Sequence, residues 1–393
     1  ARQAIPPDRT AAASSLYRHP AGQLPERLAD SKPVTIILRP DIENRNFQAA
    51  TKAYQGPENQ WPDAVSAFSN GFQFSPDADH HLRVQISDGS FVWEPEWLYM
   101  VRRSKDAGRG QDQDSDLFSP GYFSGFLSGG DCEILTALVP ETYEAAPVRP
   151  MNLNQRIRRF FETAPRRESP TQALEKALDQ YIVKRDQYAT VIAGYPWFLD
   201  WGRDALIFVR GLVAAGKMAD ARDIIIQFAR FEKQGTLPNM IQAENAANRD
   251  TSDAPLWLIT ACADLVRAEG DEQFIDSDCG GRSMRQIFLS IGQSIIAGTP
   301  NGVHMDPESG LIFSPTHFSW MDTNHPAGTP RQGYPIEIQA LWHAALCFLS
   351  KIDSAETAKT WQQLAQQVQD SILKYFWQPD LGYLSDCLHT VPG

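Results

Sequence analysis

The residues best suited to chemistry lie in three polar segments between apolar stretches of the sequence. The first, residues 195–204, reads YPWFLDWGRD and places Asp200, Arg203 and Asp204 among aromatic residues just before a predicted helix. A neutral, hydroxyl-rich ligand needs this mixture, because carboxylates accept from O–H groups, a guanidinium donates and a ring provides a flat wall. An equally weighted alternative is that Asp204 caps the helix while Arg203 pairs with it.

The second segment contains GTLPNMI at residues 235–241 and NRDTSDAPLW at residues 248–257. Its polar residues crowd immediately before an apolar stretch with helical spacing. Capping of that helix is the better interpretation for Ser252, whereas for Asp253 capping and ligand binding both stay open. Asp253 is therefore a candidate ligand-binding carboxylate.

The third segment, residues 318–342, includes Trp320, Asp322, Arg331 and Glu337. A carboxyl beside a tryptophan, in a loop bounded by Pro and Gly, lies where an apolar wall disfavours ionisation, as a general acid requires. Glu337 falls in the first turn of a predicted apolar helix, where its simplest role is to complement the helix dipole. The nearby histidines lack a third ligand at workable spacing, so we predict no metal site.

Composition narrows the class of ligand. The chain has 393 residues, 42% of them hydrophobic and 21% charged, which is ordinary for a globular protein of two or three domains. Its formal net charge of −12 repels phosphate, so neither nucleic acid nor an anionic membrane is an expected partner, whereas a neutral substrate is indifferent to that field.

The cysteines and the missing targeting signals predict a cytoplasmic protein. The five cysteines are widely spaced and odd in number, no Asn-X-Ser/Thr sequon occurs, and no signal peptide or membrane-spanning run is visible. The sequence begins at Ala1 without a methionine, from which we expect processing or a missing beginning.

Two kinds of periodicity divide the chain. Before about residue 150 the pattern is that of strands: residues 82–86 alternate, residues 90–101 follow a turn, and apolar runs occupy 34–38 and 134–139. The polar tract 102–119 is predicted to be a long loop. From residue 171 the spacing becomes helical, with helices predicted at about 171–181, 204–215, 218–232, 253–268, 283–297, 334–350 and 355–376.

The three segments together resemble a known family. GYPWFLDWGRD, GTLPNMI with NRDTSDAPLW, and SWMD with TPRQGYPIEIQALW are similar, in order and spacing, to the signature segments of the bacterial-type glycogen debranching enzymes, or amylo-α-1,6-glucosidases. The resemblance covers most of residues 34–390, and it is specific because the segments occur together. It implies an N-terminal antiparallel β-sandwich over residues 1–150, a connector over 151–170, and an (α/α)6 six-hairpin barrel over 171–393.

The resemblance also implies an inverting glycoside hydrolase that removes α-1,6-linked glucosyl stubs from glycogen and limit dextrin without a cofactor. Asp322 matches the position of the general acid, and the segment around Arg203 matches the one that grips the terminal glucose. Aromatic residues would form the ring walls. The residues expected to bind substrate are Trp197, Trp201, Arg203, Asp204, Asp253, Trp320, Arg331 and Glu337.

The sequence departs from the family pattern in its number of helices. A six-hairpin barrel needs twelve, whereas we predict about seven, and the sequence stops at Gly393 before the family's final segments, which supply the general base. We therefore expect the C-terminal part of the barrel, and the base, to lie outside this sequence. Two alternatives stay open: a six-hairpin glucosidase of trehalase or glucoamylase specificity, or a carbohydrate-binding relative without catalysis.

Overall fold

The computed structural model divides the chain into two compact units, Ala1–Arg167 and Glu168–Gly393. Most of the predicted connector and the predicted ring-wall residue Trp197 lie outside the described residues. The fold is mixed, with β-structure in the first unit and helices joined by small sheets in the second. The described ranges are 3–4, 12–18, 33–45, 49–108, 112–128, 132–139, 169–195, 198–242, 245–323 and 328–390.

The first unit contains two antiparallel sheets, and the four predicted strands are confirmed within it. One sheet has the strand order β1-β2-β9-β6-β5-β4 and the other the order β3-β8-β7. The strands are β1 (Gln3–Ala4), β2 (Ala12–Arg18), β3 (Val34–Leu38), β4 (Val65–Phe68), β5 (Gly71–Phe74), β6 (Leu82–Ile86), β7 (Ser90–Arg102), β8 (Asp114–Leu127) and β9 (Cys132–Leu138).

Aromatic residues from both sheets share one core. The ring centroids of Phe72 in β5 and Phe91 in β7 are 5.1 Å apart, and those of Phe91 and Phe123 in β8 are also 5.1 Å apart. Phe72 and Phe123 are fully buried, and burial of each such ring stabilises the fold by roughly 1.5–3 kcal/mol. The period-2 pattern places these rings on the inner faces of the sheets.

The polar tract 102–119 is not the long loop that its composition predicts. A single helical turn, Ser104–Ala107, precedes β8, which includes the second part of the tract. Asp116 is buried in this strand, and its carboxylate accepts hydrogen bonds from the backbone N–H groups of Ala53 at 2.7 Å and Met100 at 2.8 Å. These bonds offset the cost of burying the charge. Composition misleads here because long-range hydrogen bonds satisfy a polar residue inside a strand.

The second unit is predominantly helical, and the predicted helices are confirmed with ends that shift by a few residues. Ser283 and Gln286 form a reciprocal capping box at the start of the helix Met284–Ala297 (α5). The box satisfies two backbone N–H groups that would otherwise lack a partner. Among the described residues of this unit the α-helices are α1 (Pro170–Asp179), α2 (Gly202–Ala214), α3 (Met218–Ala229), α4 (Ala254–Glu269), α5 (Met284–Ala297), α6 (Ile336–Ile352) and α7 (Ala355–Tyr375).

Short two-stranded sheets join the helices at their ends. β12 pairs with β13, and β16 pairs with β19, so that loops distant in sequence are tied together. These strands are β10 (Ile182–Arg185), β11 (Tyr188–Val191), β12 (Asp200–Trp201), β13 (Met240–Ile241), β14 (His304–Met305), β15 (Ile312–Phe313), β16 (Gly333–Pro335), β17 (Trp377–Gln378), β18 (Tyr383–Leu384) and β19 (Cys387–His389).

The apolar stripes of the helices form the core of the second unit. Ile224, Ile225 and Phe228 of α3 are all fully buried, as the helical spacing of the sequence predicts. The polar loops are therefore left at the helix ends, where the site residues lie. In the part of the chain that the structure describes, none of the helices combines the length and apolar character needed to cross a membrane.

Candidate active site

The first two polar segments are held together by the pairing of β12 with β13. Next to this pair, the N–H of Gly202 donates to the carbonyl oxygen of Asn239 at 2.9 Å. A Cβ at Gly202 would lie 3.0 Å from the carbonyl oxygen of Pro238 and 3.2 Å from the Cβ of Ala254, so glycine permits this close approach. Arg203 follows directly, in the first turn of α2.

Arg203 is the residue on which all three polar segments converge. Its Nε donates to Asp253 Oδ2 and its Nη2 lies 3.4 Å from Asp253 Oδ1. Nη1 lies 3.2 Å from Asp322 Oδ2, and Nη2 donates to the carbonyl oxygen of Ser319 at 2.8 Å. One guanidinium thus joins carboxylates that are 50 and 119 positions away in the sequence.

Asp253 is fixed from a second side, and helix capping does not account for it. Its side chain is 3% exposed, it makes no capping hydrogen bond at the start of α4, and the hydroxyl of Thr251 donates to Oδ1 at 2.7 Å. The hydroxyl of Ser252 bonds instead with Ser314 Oγ at 2.9 Å and donates to the carbonyl oxygen of Phe318 at 3.1 Å. The capping interpretation of Ser252 is therefore wrong.

The alternative role for Asp204, capping α2 while pairing with Arg203, is not realised. The N-cap of α2 is Trp201, which forms no side-chain capping bond, and the ion pairs of Arg203 are with Asp253 and Asp322. Asp204 is an exposed residue, but partial desolvation of its carboxyl raises its pKa against the attraction of Arg203, and repulsion from Asp322 and Asp253 adds to the rise.

Arg203 keeps its charge in this setting. Burial opposes the charged form, but the carboxylates of Asp253 and Asp322 outweigh burial and raise the pKa of the guanidinium. Its side chain is 13% exposed, so it stays a cation that reaches the surface between two carboxylates. Such a group donates hydrogen bonds to neutral hydroxyls at any ordinary pH.

A second arginine holds two further carboxylates. The guanidinium of Arg331 forks onto Glu337, with Nη1 to Oε1 at 2.5 Å and Nη2 to Oε2 at 2.7 Å. Its other edge binds Asp386, with Nε to Oδ2 and Nη2 to Oδ1 both at 2.9 Å. Burial opposes the charge of Arg331, but Glu337 and Asp386 outweigh it and raise the pKa of the guanidinium.

Ser319 connects the two arginines. Its carbonyl oxygen accepts from Arg203, and its hydroxyl accepts from Arg331 Nη1 at 3.0 Å. The next residue, Trp320, is 55% exposed, and its ring centroid lies 5.8 Å from the guanidinium carbon of Arg331. Trp201 is half-buried at the start of α2. Arg203 and Arg331, linked through Ser319, therefore bring together predicted residues from all three segments: Asp253, Asp322, Glu337 and the exposed Trp320.

Sequence reasoning missed three residues of this cluster. Asp386, Ser319 and Thr251 each bond to a predicted site residue. Ser319 and Thr251 are within three positions of Asp322 and Asp253, so proximity in sequence could have found them. Asp386 gives no comparable signal, because only the pairing of β16 with β19 brings it to Arg331. Within the described ranges, no group of three or more His, Cys, Asp or Glu side chains could hold a metal ion.

Comparison with known proteins bears on the same residues. The family model described as amylo-alpha-1,6-glucosidase matches residues 176–392, more than half of the chain, and that described as glycogen debranching enzyme N terminal matches residues 23–133. The chain belongs to the glycogen debranching enzyme family. The chain is 25% identical to the glycogen debranching enzyme of Saccharomyces cerevisiae over 273 residues. The match covers 51% of this chain and 18% of the yeast protein.

The solved structures that match this chain share little sequence with it. A rhamnosidase from Klebsiella oxytoca with rhamnose bound matches with a TM-score of 0.41 and 11% identity, over 91% of this chain and 73% of that one. A bacterial glucoamylase complexed with acarbose matches with a TM-score of 0.46 and 13% identity, over 78% and 47%.

Proposed function

We propose that the protein is a glycoside hydrolase that removes α-1,6-linked glucosyl stubs from glycogen-type branched α-glucans with inversion at the anomeric carbon. Membership of the debranching family supports the substrate class. The observation that carries the proposal is the convergence of Asp253, Asp322 and the Ser319 carbonyl on the single guanidinium of Arg203. Carboxylates, a guanidinium and an exposed indole are the groups that a neutral sugar requires.

In the proposed mechanism, Asp322 protonates the glycosidic oxygen as the bond to the glucosyl stub breaks. Asp253 holds the guanidinium of Arg203 through two contacts, whereas Asp322 has one contact of 3.2 Å, which a sugar oxygen can displace. A second carboxylate would activate water from the opposite face. Inverting enzymes place the two carboxyl groups roughly 6.5–9.5 Å apart, which leaves room for that water.

Substrate binding is proposed for the other site residues. Arg203 and Asp253, together with Asp204, would hold the hydroxyl groups of the terminal glucose. Trp320, and Trp201 at the start of α2, would provide the flat walls. Alignment of the leaving oxygen and the water by such contacts supplies a large part of the rate enhancement.

We propose the architecture that goes with this activity: an N-terminal β-sandwich over residues 1–150, a connector over 151–170, and the (α/α)6 barrel from residue 171. The two sheets of the first unit and the paired helices of the second support it. A cytoplasmic location is proposed as well. In the described part of the chain Cys262, Cys279, Cys347 and Cys387 are free thiols, which suits a reducing compartment.

The anomer of the first product tests the proposal. The full-length protein is incubated with a maltooligosaccharide that carries one α-1,6-linked glucosyl residue, and early time points are followed by proton NMR. We expect free β-glucose to appear first and the α-anomer to grow only by mutarotation. Trehalose and an unbranched maltooligosaccharide serve as comparison substrates. Faster glucose release from either of these, or initial release of α-glucose, would contradict the proposed specificity or the inverting mechanism.

A further inference from the structure

Arg331 has no N–H group left for a ligand. A guanidinium offers five donors. In Arg331, Nε binds Asp386, Nη1 binds Ser319 and Glu337, and Nη2 binds Glu337 and Asp386. The residue is 1% exposed. A sugar hydroxyl can therefore reach Arg331 only by breaking an existing charge-assisted bond, which makes direct substrate binding by this residue unfavourable.

The two carboxylates that Arg331 holds are the groups that reach solvent. The side chain of Asp386 is 64% exposed and that of Glu337 is 31% exposed. Trp320 stands over the same guanidinium with its ring largely exposed. An open indole beside two fixed carboxylates is the composition that binds a neutral sugar ring, and one residue, Ser319, separates it from the Arg203 cluster.

The backbone keeps Asp386 and Glu337 together. Directly beside the β16–β19 pair, the N–H of Ile336 donates to the Asp386 carbonyl oxygen at 3.0 Å, and Nη2 of Arg331 donates to the same oxygen at 3.2 Å. Arg331 itself has φ of 50°, in the left-handed region that a residue with a Cβ adopts only when its surroundings impose it. The backbone is therefore strained at Arg331, the residue that holds the two carboxylates side by side.

We propose that Asp386 is a further substrate-binding residue of the same site, accepting hydrogen bonds from glucosyl hydroxyls, and that Arg331 is a positioning residue that fixes Asp386 beside Glu337. The proposal rests on the proposed glucan substrate, but not on the identity of the general acid. Under this proposal Arg331 does not contact the sugar directly, and Asp386, from the segment before β19, does.

The test substitutes Asp386→Asn in the full-length protein, with Asp380→Asn as the matched control on an exposed turn of the same segment. Binding of a maltooligosaccharide that carries one α-1,6-linked glucosyl residue is measured by calorimetry, and glucose release is measured separately. We expect Asp386→Asn to weaken binding at least about tenfold, since it removes a charged acceptor. Asp380→Asn should change neither quantity.

A second variant separates positioning from a purely structural role. Arg331→Lys keeps the charge but loses the fork, so it should raise KM more than it lowers kcat. Addition of Asp386→Asn to Arg331→Lys should then weaken binding less than about twofold further, because the two residues act as one unit. Fully additive effects in this pair would overturn the positioning role of Arg331.

The outcomes for this inference and for the proposed function are distinct. Equal binding by Asp386→Asn and Asp380→Asn, with active wild-type protein, would overturn the role of Asp386 and leave the activity standing. Wild-type protein that binds the oligosaccharide but releases no glucose would overturn the proposed hydrolysis, while a loss of binding in Asp386→Asn still supports this inference. Wild-type protein without any binding would contradict both.

Discussion

The two arginine clusters of the second unit use the same chemistry in opposite orientations. Arg203 is 13% exposed and one of its partners, Asp253, is 3% exposed, so the carboxylate lies behind the guanidinium. Arg331 is 1% exposed, whereas its partners Glu337 and Asp386 are 31% and 64% exposed, so the guanidinium lies behind the carboxylates. The first cluster presents a donor to the surface together with one carboxylate, Asp322, which is 25% exposed, whereas the second presents acceptors alone.

This difference shows how one pair of residue types can make both halves of a sugar-binding surface. Each hydroxyl group donates one hydrogen bond and accepts others, so a sugar needs donors and acceptors on fixed supports. A buried partner of opposite charge provides the support, because it holds the exposed group in one orientation. Substitutions at these carboxylates and arginines test that contrast, in order of decreasing expected effect.

Removal of each guanidinium should have the largest effect and should distinguish the clusters. Arg203→Met leaves Asp253 as a buried, unpaired charge, so the free energy of unfolding should fall by about 3–5 kcal/mol. Arg331→Met leaves carboxylates that water can solvate, and a loss of about 1–2 kcal/mol is expected. Urea unfolding followed by tryptophan fluorescence measures both.

A double substitution checks the reason for that difference. Asp253→Asn added to Arg203→Met removes the orphaned charge and should recover a part of the lost stability, as measured by the same unfolding curves. Asp386→Asn added to Arg331→Met should recover little. If Arg331→Met destabilises the protein more than Arg203→Met does, the assignment of buried and exposed partners is wrong.

Asp322→Asn should have the next largest effect and should sharpen the contrast between carboxylates. Asp322 has one contact to its arginine, whereas both oxygens of Glu337 are held by Arg331. We expect Asp322→Asn to lower kcat on branched glucan at least about 10²-fold, the lower end for loss of a general acid. It should retain far more activity on α-glucosyl fluoride, whose leaving group needs little proton assistance.

Glu337→Gln is the matched comparison for Asp322→Asn. It should weaken substrate binding, as seen in KM, on the glucan and on the fluoride alike. Steady-state kinetics on both substrates decides the matter. Loss of both activities in Asp322→Asn together with retention of fluoride hydrolysis in Glu337→Gln would reverse the two roles.

Asp204→Asn should have the smallest effect on stability, and the effect depends on pH. Partial desolvation of the carboxyl raises the pKa of Asp204 in the folded protein, so folding favours its protonated form. That contribution is present below the unfolded pKa and is lost as pH rises through the folded pKa. Asp204→Asn should therefore raise the thermal midpoint by up to about 2 °C at pH 7 and leave it unchanged near pH 3.

Asp220→Asn provides the control for Asp204→Asn. Asp220 also lies in the first turn of a helix, and burial raises its pKa as well, but it is on α3, away from the Arg203 contacts. Glucose release should fall for Asp204→Asn and stay at the wild-type rate for Asp220→Asn. An equal loss in both variants would mean that Asp204 acts through the fold and does not contact the sugar.

The amino-acid pattern alone predicted the helices of the second unit and four of the strands of the first unit. The stripe of Ile224, Ile225 and Phe228 predicted α3 because apolar residues at helical spacing must face a core. The sequence also located the three polar segments, because polar and aromatic residues between apolar helices do not belong to the apolar core. Family resemblance gave those segments their expected roles.

Which carboxylate binds which arginine could be seen only in the folded protein. Asp253 and Asp322 lie 50 and 119 positions from Arg203, and Asp386 lies 55 positions from Arg331, distances at which local spacing holds no information. The pairing of β16 with β19 and the buried strand position of Asp116 are of the same kind. Each of these contacts depends on hydrogen bonds between segments that are distant in sequence. Such bonds contribute to stability only once folding has brought the segments together.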